Sequence, residues 1–194
     1  GVYARRSLCV QYQESDLAFV QRLMREEGLF GWWEHEGDPA SASLGRHVLV
    51  IADHNGALQP NAQPRVRYTQ SHLGTAEDSL VRWQRRAAVH TAQVALASRD
   101  YRSVALRPVQ AVGRQPAVPE LLLSDVPGVY AYEDSAQGQR LADVQAQALD
   151  ALRTRCVGRG SWRTAAPGTW FTLVDHPVHD GSDPSRDVHT ILGV

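Results

Sequence analysis

The sequence predicts an α+β fold: mainly antiparallel, barrel-like β sheets that carry two amphipathic helices. Three observations point there. Apolar–polar alternation marks more strands than helices along the 194 residues. Only two stretches keep helical spacing, one early in the chain and one late. The strands between them are not separated by regular helices, as the βαβ units of a parallel sheet would require.

The early helix lies in "ESDLAFVQRLMREEGLFGWWEHEG". Ser15 is a good N-cap, because its hydroxyl can accept from a free N–H of the first turn. Asp16 places negative charge at the positive end of the helix dipole. Leu17, Val20 and Met24 share a face, widened by Phe19 and Leu23. Gly28 supplies the left-handed residue that ends the helix. Glu26 and Glu27 sit at the unfavourable negative end, so the helix needs tertiary packing. Its apolar face is expected on a sheet, with Arg22 and Arg25 outside; Val20→Asp would then cost about 3 kcal/mol or more. The residues before it read as a strand.

"LFGWWEH" follows as a strand, with Phe30, Trp32 and Glu34 on one side and Leu29, Gly31, Trp33 and His35 on the other. "EGDPASASLG" is turn and loop. "RHVLVIAD" is apolar on both faces and reads as a central strand. "HNGALQPNAQP" reads as irregular, "RVRY" as a short strand and "SHLGTAED" as a polar linker. "SLVRWQRRAAV" and "TAQVALASRDY" are expected to form an antiparallel hairpin turning near His90. Residues 103–129 hold Pro108, Pro116, Pro119 and Pro127, so a long connection is expected, interrupted by "ELLLS".

The late helix is "AQGQRLADVQAQALDALRTRC", capped by Asp134 or Ser135 and followed by Gly158. Leu141, Val144, Ala148, Leu152 and Cys156 share a face, and Arg153 and Arg155 suit the C-terminal dipole. The tail is all strand: "GSWRTA", a Pro167–Gly168 turn, "TWFTLV", a polar loop and "DVHTILGV".

Composition removes several function classes. The net charge is −1, and all twenty basic residues are arginine. There is thus no overall attraction to nucleic acid or anionic membrane. No apolar run approaches the ~18 residues of a bilayer span. "GVYARRSLCV" lacks the apolar core of a signal peptide, and the chain reads as a piece of a longer protein. Cys9 and Cys156 make neither a disulfide framework nor a zinc site; both are expected to be inert core thiols in a reducing compartment.

"VDHPVHDG" is the most enzyme-like stretch. Asp175, His176, His179 and Asp180 are of the types that bind divalent metals, and Asp53 and His54 offer a second Asp–His pair. Three-residue spacing around Pro177 aims the two histidines apart, however, and strand ends running into polar turns explain them better. A metal-dependent hydrolase using these pairs is the alternative from another class. No G-x-S-x-G elbow or phosphate-cradling glycine loop is present. Trp32, Trp33, Trp83, Trp162 and Trp170, with arginines in "VRWQRR" and "SWR", could stack bases, but core tryptophans are the simpler reading.

"SLCVQYQESDLAFVQRLMREEGLFGWWEHEG" followed by "HVLVIAD" closely resembles the Vgr family: spike-tip proteins of the bacterial type VI secretion system, related to hub proteins of contractile phage tails. Cys9 to Tyr12, Glu14 to Asp16 and Phe19 match its first block. Glu26 to Gly28 match the second, and Glu34 and His35 close the aromatic strand. His47, Leu49, Val50, Ala52 and Asp53 match the third block. "VRWQRRAAV", "ASRDYRS", "GQRLADVQAQALDALRTRCVGRG" and "APGTWFTLVDHP" resemble later blocks more loosely, with Ser103 and Val104 replacing the usual polar-aromatic ending. The resemblance implies a phage tail-hub-like fold, with residues 1–78 as its helix–strand part and 79–194 as a barrel-like part with the second helix. It also implies a structural protein, assembled in the cytoplasm and then secreted. Its expected partners are two further copies in a full-length homotrimer, a hexameric inner tube, and effector or adaptor proteins. No catalytic residue, cofactor, metal, nucleic acid or stable membrane insertion is expected. A baseplate hub of a contractile phage tail is the alternative within the same class.

Overall fold

A computed structural model describes residues 3, 5–6, 8–38, 40–42, 44–70, 77–100, 104–114, 121–128 and 131–194. In chain order the elements are α1 (Asp16–Glu27), β1 (Phe30–Glu36), β2 (Arg46–Ala52), a 3-10 turn (Asn55–Ala57), β3 (Gln59–Tyr68), β4 (Ser79–Ala87), β5 (Gln93–Asp100), β6 (Ala105–Val112), β7 (Leu122–Asp125), α2 (Ser135–Arg153), β8 (Thr154–Ser161), β9 (Thr169–Val174), α3 (Pro184–Asp187) and β10 (Val188–Thr190). The α+β class holds, with strands dominant. Most of the paired residues are antiparallel, as in β1–β2, β5–β6 and β9–β10, with parallel pairs where β3 meets β4 and β9; among the described residues no sheet closes into a barrel.

Two compact units interleave in the sequence. Unit 1 is Gly1–Leu29 with Ala87–Arg155, and unit 2 is Phe30–Arg86 with Cys156–Val194. A cut between residues 78 and 79 would separate β3 from β4, which pair at Arg67↔Ser79. Most of the expected polar linker, residues 71–76, lies outside the described residues, as do Tyr101 to Ser103, Pro116 and Pro119.

In unit 1, α2 lies on a three-stranded sheet ordered β6-β5-β7. Val94, Leu96, Val109, Ala111, Tyr132, Ala142 and Ala146 form the core. The helix starts as expected: Asp134 accepts from the Gln137 N–H at 2.8 Å. Its buried face is Gly138, Ala142 and Ala146, however, while Ala148 and Leu152 are exposed. The smallest residues face the sheet because they let the backbone approach closely; a methyl group on Gly138 would meet the Tyr132 ring at 2.6 Å. The helix ends at Arg153, which moves Cys156 off its face and onto β8.

The expected hairpin of β4 and β5 does not form. β5 pairs antiparallel with β6 and parallel with β7. The reason is core chemistry: β6 supplies Val109 and Ala111 to the core under α2, whereas the end of β4 is "QRRA". β6 falls within the segment expected to be a connection. Its Pro108 is tolerated because β6 is an edge strand.

α1 has the expected ends. The Ser15 hydroxyl accepts from the Ala18 N–H at 3.3 Å, and Gly28 has φ 75°. Its packing differs. No α1 residue is buried; Leu17 is 67% and Val20 46% exposed. The helix leans on α2 through its charged side, not on a sheet through its apolar one. An aspartate at position 20 would stay hydrated, so the large cost expected for Val20→Asp does not follow. The described residues before α1 form no strand.

In unit 2 the five-stranded sheet runs β10-β9-β3-β4-β8, with Val66, Leu80, Phe171, Leu173 and Ile191 at its core. β3 extends well upstream of "RVRY", with an irregularity between Pro60 and Arg65. β1 and β2 form a separate antiparallel pair, so "RHVLVIAD" is not a central strand. Its second apolar face, Leu49 and Ile51, is exposed beside Trp33. The alternation of β1 is as expected: Trp32 is buried and its indole N–H donates to Glu34 at 2.9 Å. Only three residues of "DVHTILGV" are strand.

Candidate functional site

The "EEG" block of α1 is where the two helices of unit 1 meet. The Glu27 carboxylate accepts from Arg140 of α2 at 2.9 Å and from Arg6 at 2.8 Å. Arg6 also bonds Glu26, and Arg22 joins Glu26 (3.0 Å) to Glu14 (2.7 Å). The Arg140 guanidinium also bonds the Glu27 carbonyl at 3.2 Å and lies over the Tyr3 ring. Burial pushes the Glu27 carboxyl up, but the bonds from Arg140 and Arg6 outweigh it and hold the group below its ordinary value. Val144 of α2 lies against Gly28, where a methyl group would stand 3.1 Å from it. This chain of six charges ties the N-terminal arm, α1 and α2 together. It is a brace, with no nucleophile in it.

The Asp–His stretch of unit 2 is a polar turn at a sheet end. Asp175, with φ 60°, pairs with Arg67 at 2.7 Å. His176 accepts from the Val178 N–H at 3.1 Å through Nδ1. Asp180 accepts from the Ser182 N–H and hydroxyl. His179 is buried, with Nδ1 3.1 Å from Asp187, and its ring centre lies 5.2 Å from that of His176: the tight turn at Pro177 brings the two imidazoles together instead of aiming them apart. His54 caps the 3-10 turn by accepting from the Gly56 N–H. Among the described residues, no three His, Cys, Asp or Glu side chains are grouped so as to hold a metal. The two Asp–His pairs are therefore not brought together.

Sequence reasoning missed the residues that organise this turn. Asp187 is fully buried and accepts from Arg186 Nε at 2.8 Å and from the Gly181 and Asp183 N–H groups. Those bonds, led by Arg186, hold its carboxyl well below the ordinary range. His189 of β10 lies 4.7 Å from the Trp83 ring, and its Nε2 and the Trp83 Nε1 are buried without hydrogen-bond partners among the described residues. The only signal was the Ser/Asp-rich "DGSDPSRD", which reads as turn chemistry. Nothing local marks His189.

Burial, with nearby His179 adding to it, pushes the His189 imidazole down to about 4. Its unfolded value is ordinary, near 6.5. The folded value is the lower one, so its stabilising contribution is present above pH 6.5 and lost as pH falls toward 4. After discounting for partial exposure, about 2 kcal/mol should disappear in that window. Denaturant titrations at pH 7 and pH 4.5 should show the loss, and His189→Gln should flatten it. A wild-type midpoint that does not move between the two would contradict this.

Cys9 is exposed, contrary to the core position expected of it. Cys156 is half-buried, and burial pushes its thiol up, away from the nucleophilic form. Trp32 is buried, Trp83, Trp162 and Trp170 are half-buried, and Trp33 is exposed.

Comparison with known proteins shows what the chain as a whole is similar to. The family model of the phage tail baseplate hub (GPD) matches residues 1–188. The type VI secretion system spike protein VgrG1a of Pseudomonas aeruginosa is 31% identical over 182 residues, covering 92% of this chain and 27% of that protein. VgrG1c of the same organism is 31% identical over 182 residues, covering 92% and 24%. The actin cross-linking toxin VgrG1 of Vibrio cholerae is 38% identical over 60 residues, covering 31% and 5%. The chain thus spans about a quarter of the length of the spike proteins it matches.

Proposed function

Because this chain belongs to the phage tail baseplate hub family, we propose that it is a structural part of a type VI secretion spike. The observation that carries this is likeness to spike proteins along 92% of the chain, not at one short motif. The ion network at the "EEG" block supports it, since that block braces two helices and presents no reactive group. In this reading three copies form the hub. The ring caps a hexameric inner tube and carries the puncturing needle on its other side, with effectors or adaptors attached. It is assembled in the cytoplasm and exported when the sheath contracts. The reading assigns the chain no catalytic residue, cofactor or nucleic acid. The match to the toxin is too short a part of that protein to bring an activity here.

A second reading, a baseplate hub of a contractile phage tail, is favoured by the matching family itself. In-frame deletion of the coding segment in its host separates the two. Loss of inner-tube protein from the culture medium supports the secretion spike. Unchanged export, with the chain recovered in sheared phage tails, supports the phage hub and overturns the first reading.

A further inference from the structure

The sheet of unit 2 segregates charge. β3, β4 and β8 are adjacent in the order β10-β9-β3-β4-β8, and "QPNAQPRVRY", "SLVRWQRRA" and "TRCVGRGS" hold no carboxylate. Val66 is buried in the core, so alternation sends Arg65 and Arg67 to the other face. Trp83 packs on Phe171 and His189 toward the core, so Gln84 and Arg86 point away from it, and Arg82 is exposed. Gly158 lies against Trp83, which places Val157 and Arg159 on the outer face too. All five of these arginines are exposed. Arg67 pairs with Asp175 at the strand end, and Asp78 is taken by Arg163. Among the described residues, Arg65, Arg82, Arg86 and Arg159 have no ion-pair partner.

Among the described residues, β8 is also the end strand of the sheet. Its outer edge presents eight residues of backbone without proline. Unpaired N–H and C=O groups at such an edge can template an incoming strand, and guanidinium forks favour carboxylates beside it.

We propose that this face and the free edge of β8 dock an acidic, extended segment of a partner protein. Charge complementarity selects that occupant. The face carries no exposed aromatic ring on which bases could stack, because Trp83 is turned into the core. Its one exposed apolar side chain, Val157, is too little to enter a membrane. The chain as a whole carries −1, so a polyanion gains no long-range attraction, whereas a local acidic strand meets four unpaired arginines. This inference does not rest on the spike reading.

The test uses the 194-residue chain and a fluorescein-labelled peptide of alternating glutamate and threonine, long enough to match β8. Fluorescence anisotropy should show binding that weakens as salt rises. Arg82→Glu/Arg86→Glu/Arg159→Glu should weaken it at least about tenfold with an unchanged melting curve. The milder Arg→Gln triple at the same positions serves if the first variant misfolds, and should weaken binding in the same direction. Oligothymidylate and phosphatidylserine vesicles should bind less tightly than the peptide. A peptide that binds no better than its lysine–threonine counterpart would overturn the proposal and leave a solvated face that only guards the edge. Equal binding by the folded variants, or tighter binding of the oligonucleotide or the vesicles, would overturn it as well.

Discussion

Gly160→Ala is expected to destabilise unit 2 by about 3 kcal/mol. A methyl group at this position on β8 would stand 2.0 Å from the Ser79 carbonyl oxygen and 2.7 Å from the Leu80 Cα. Both are backbone atoms of β4, so no side chain can swing aside. The two strands must part, and the core around Leu80 opens with them. Gly158→Ala is the control. There the methyl group meets the Trp83 ring and the Leu80 Cδ1 at 3.2 and 3.3 Å, contacts that a small shift relieves. Its cost should be about 1 kcal/mol. All five tryptophans lie in unit 2, so tryptophan fluorescence during denaturant unfolding reads this unit. Equal midpoints for the two variants would show that the β4–β8 contact is not as close as described.

Tyr132→Phe should cost unit 1 about 2 to 3 kcal/mol. The hydroxyl is buried, accepts from the Ser98 N–H at 2.9 Å, and shares its one proton between the carbonyls of Leu96 and Arg107. Removing this oxygen leaves the Ser98 N–H without its acceptor and takes away the one proton shared between the two carbonyls, while the ring still fills the space beside Gly138. The two long helices both belong to unit 1, so circular dichroism at the helical band reports this unit. A helical transition that stays at its wild-type midpoint would mean that water replaces the hydroxyl.

Local signals were legible and non-local ones were not. The Ser15 and Asp134 caps, the Gly28 stop and the alternation of β1 depend on residues within one turn or one strand, and the sequence carries them openly. The partner of β5 depends on which distant strand can fill the core under α2, which no spacing rule reveals. The face of α1 was misjudged for the same reason. Glu26 and Glu27 read as liabilities at a helix C-terminus, yet Arg6 and Arg140 neutralise them, the latter from 113 residues away. At the Asp–His turn the chemistry-bearing residues were named from the sequence, but not Asp187 and His189, which set their surroundings. The likeness to spike proteins was legible because it rests on ordered blocks of residues rather than on contacts.

Light scattering on the product of the complete reading frame that contains these residues tests the hub role most directly. At micromolar concentration that product should have the mass of three copies, while the 194-residue chain alone should be a monomer or a weak oligomer. A complete product that stays monomeric would contradict the hub role, whatever the shorter chain does.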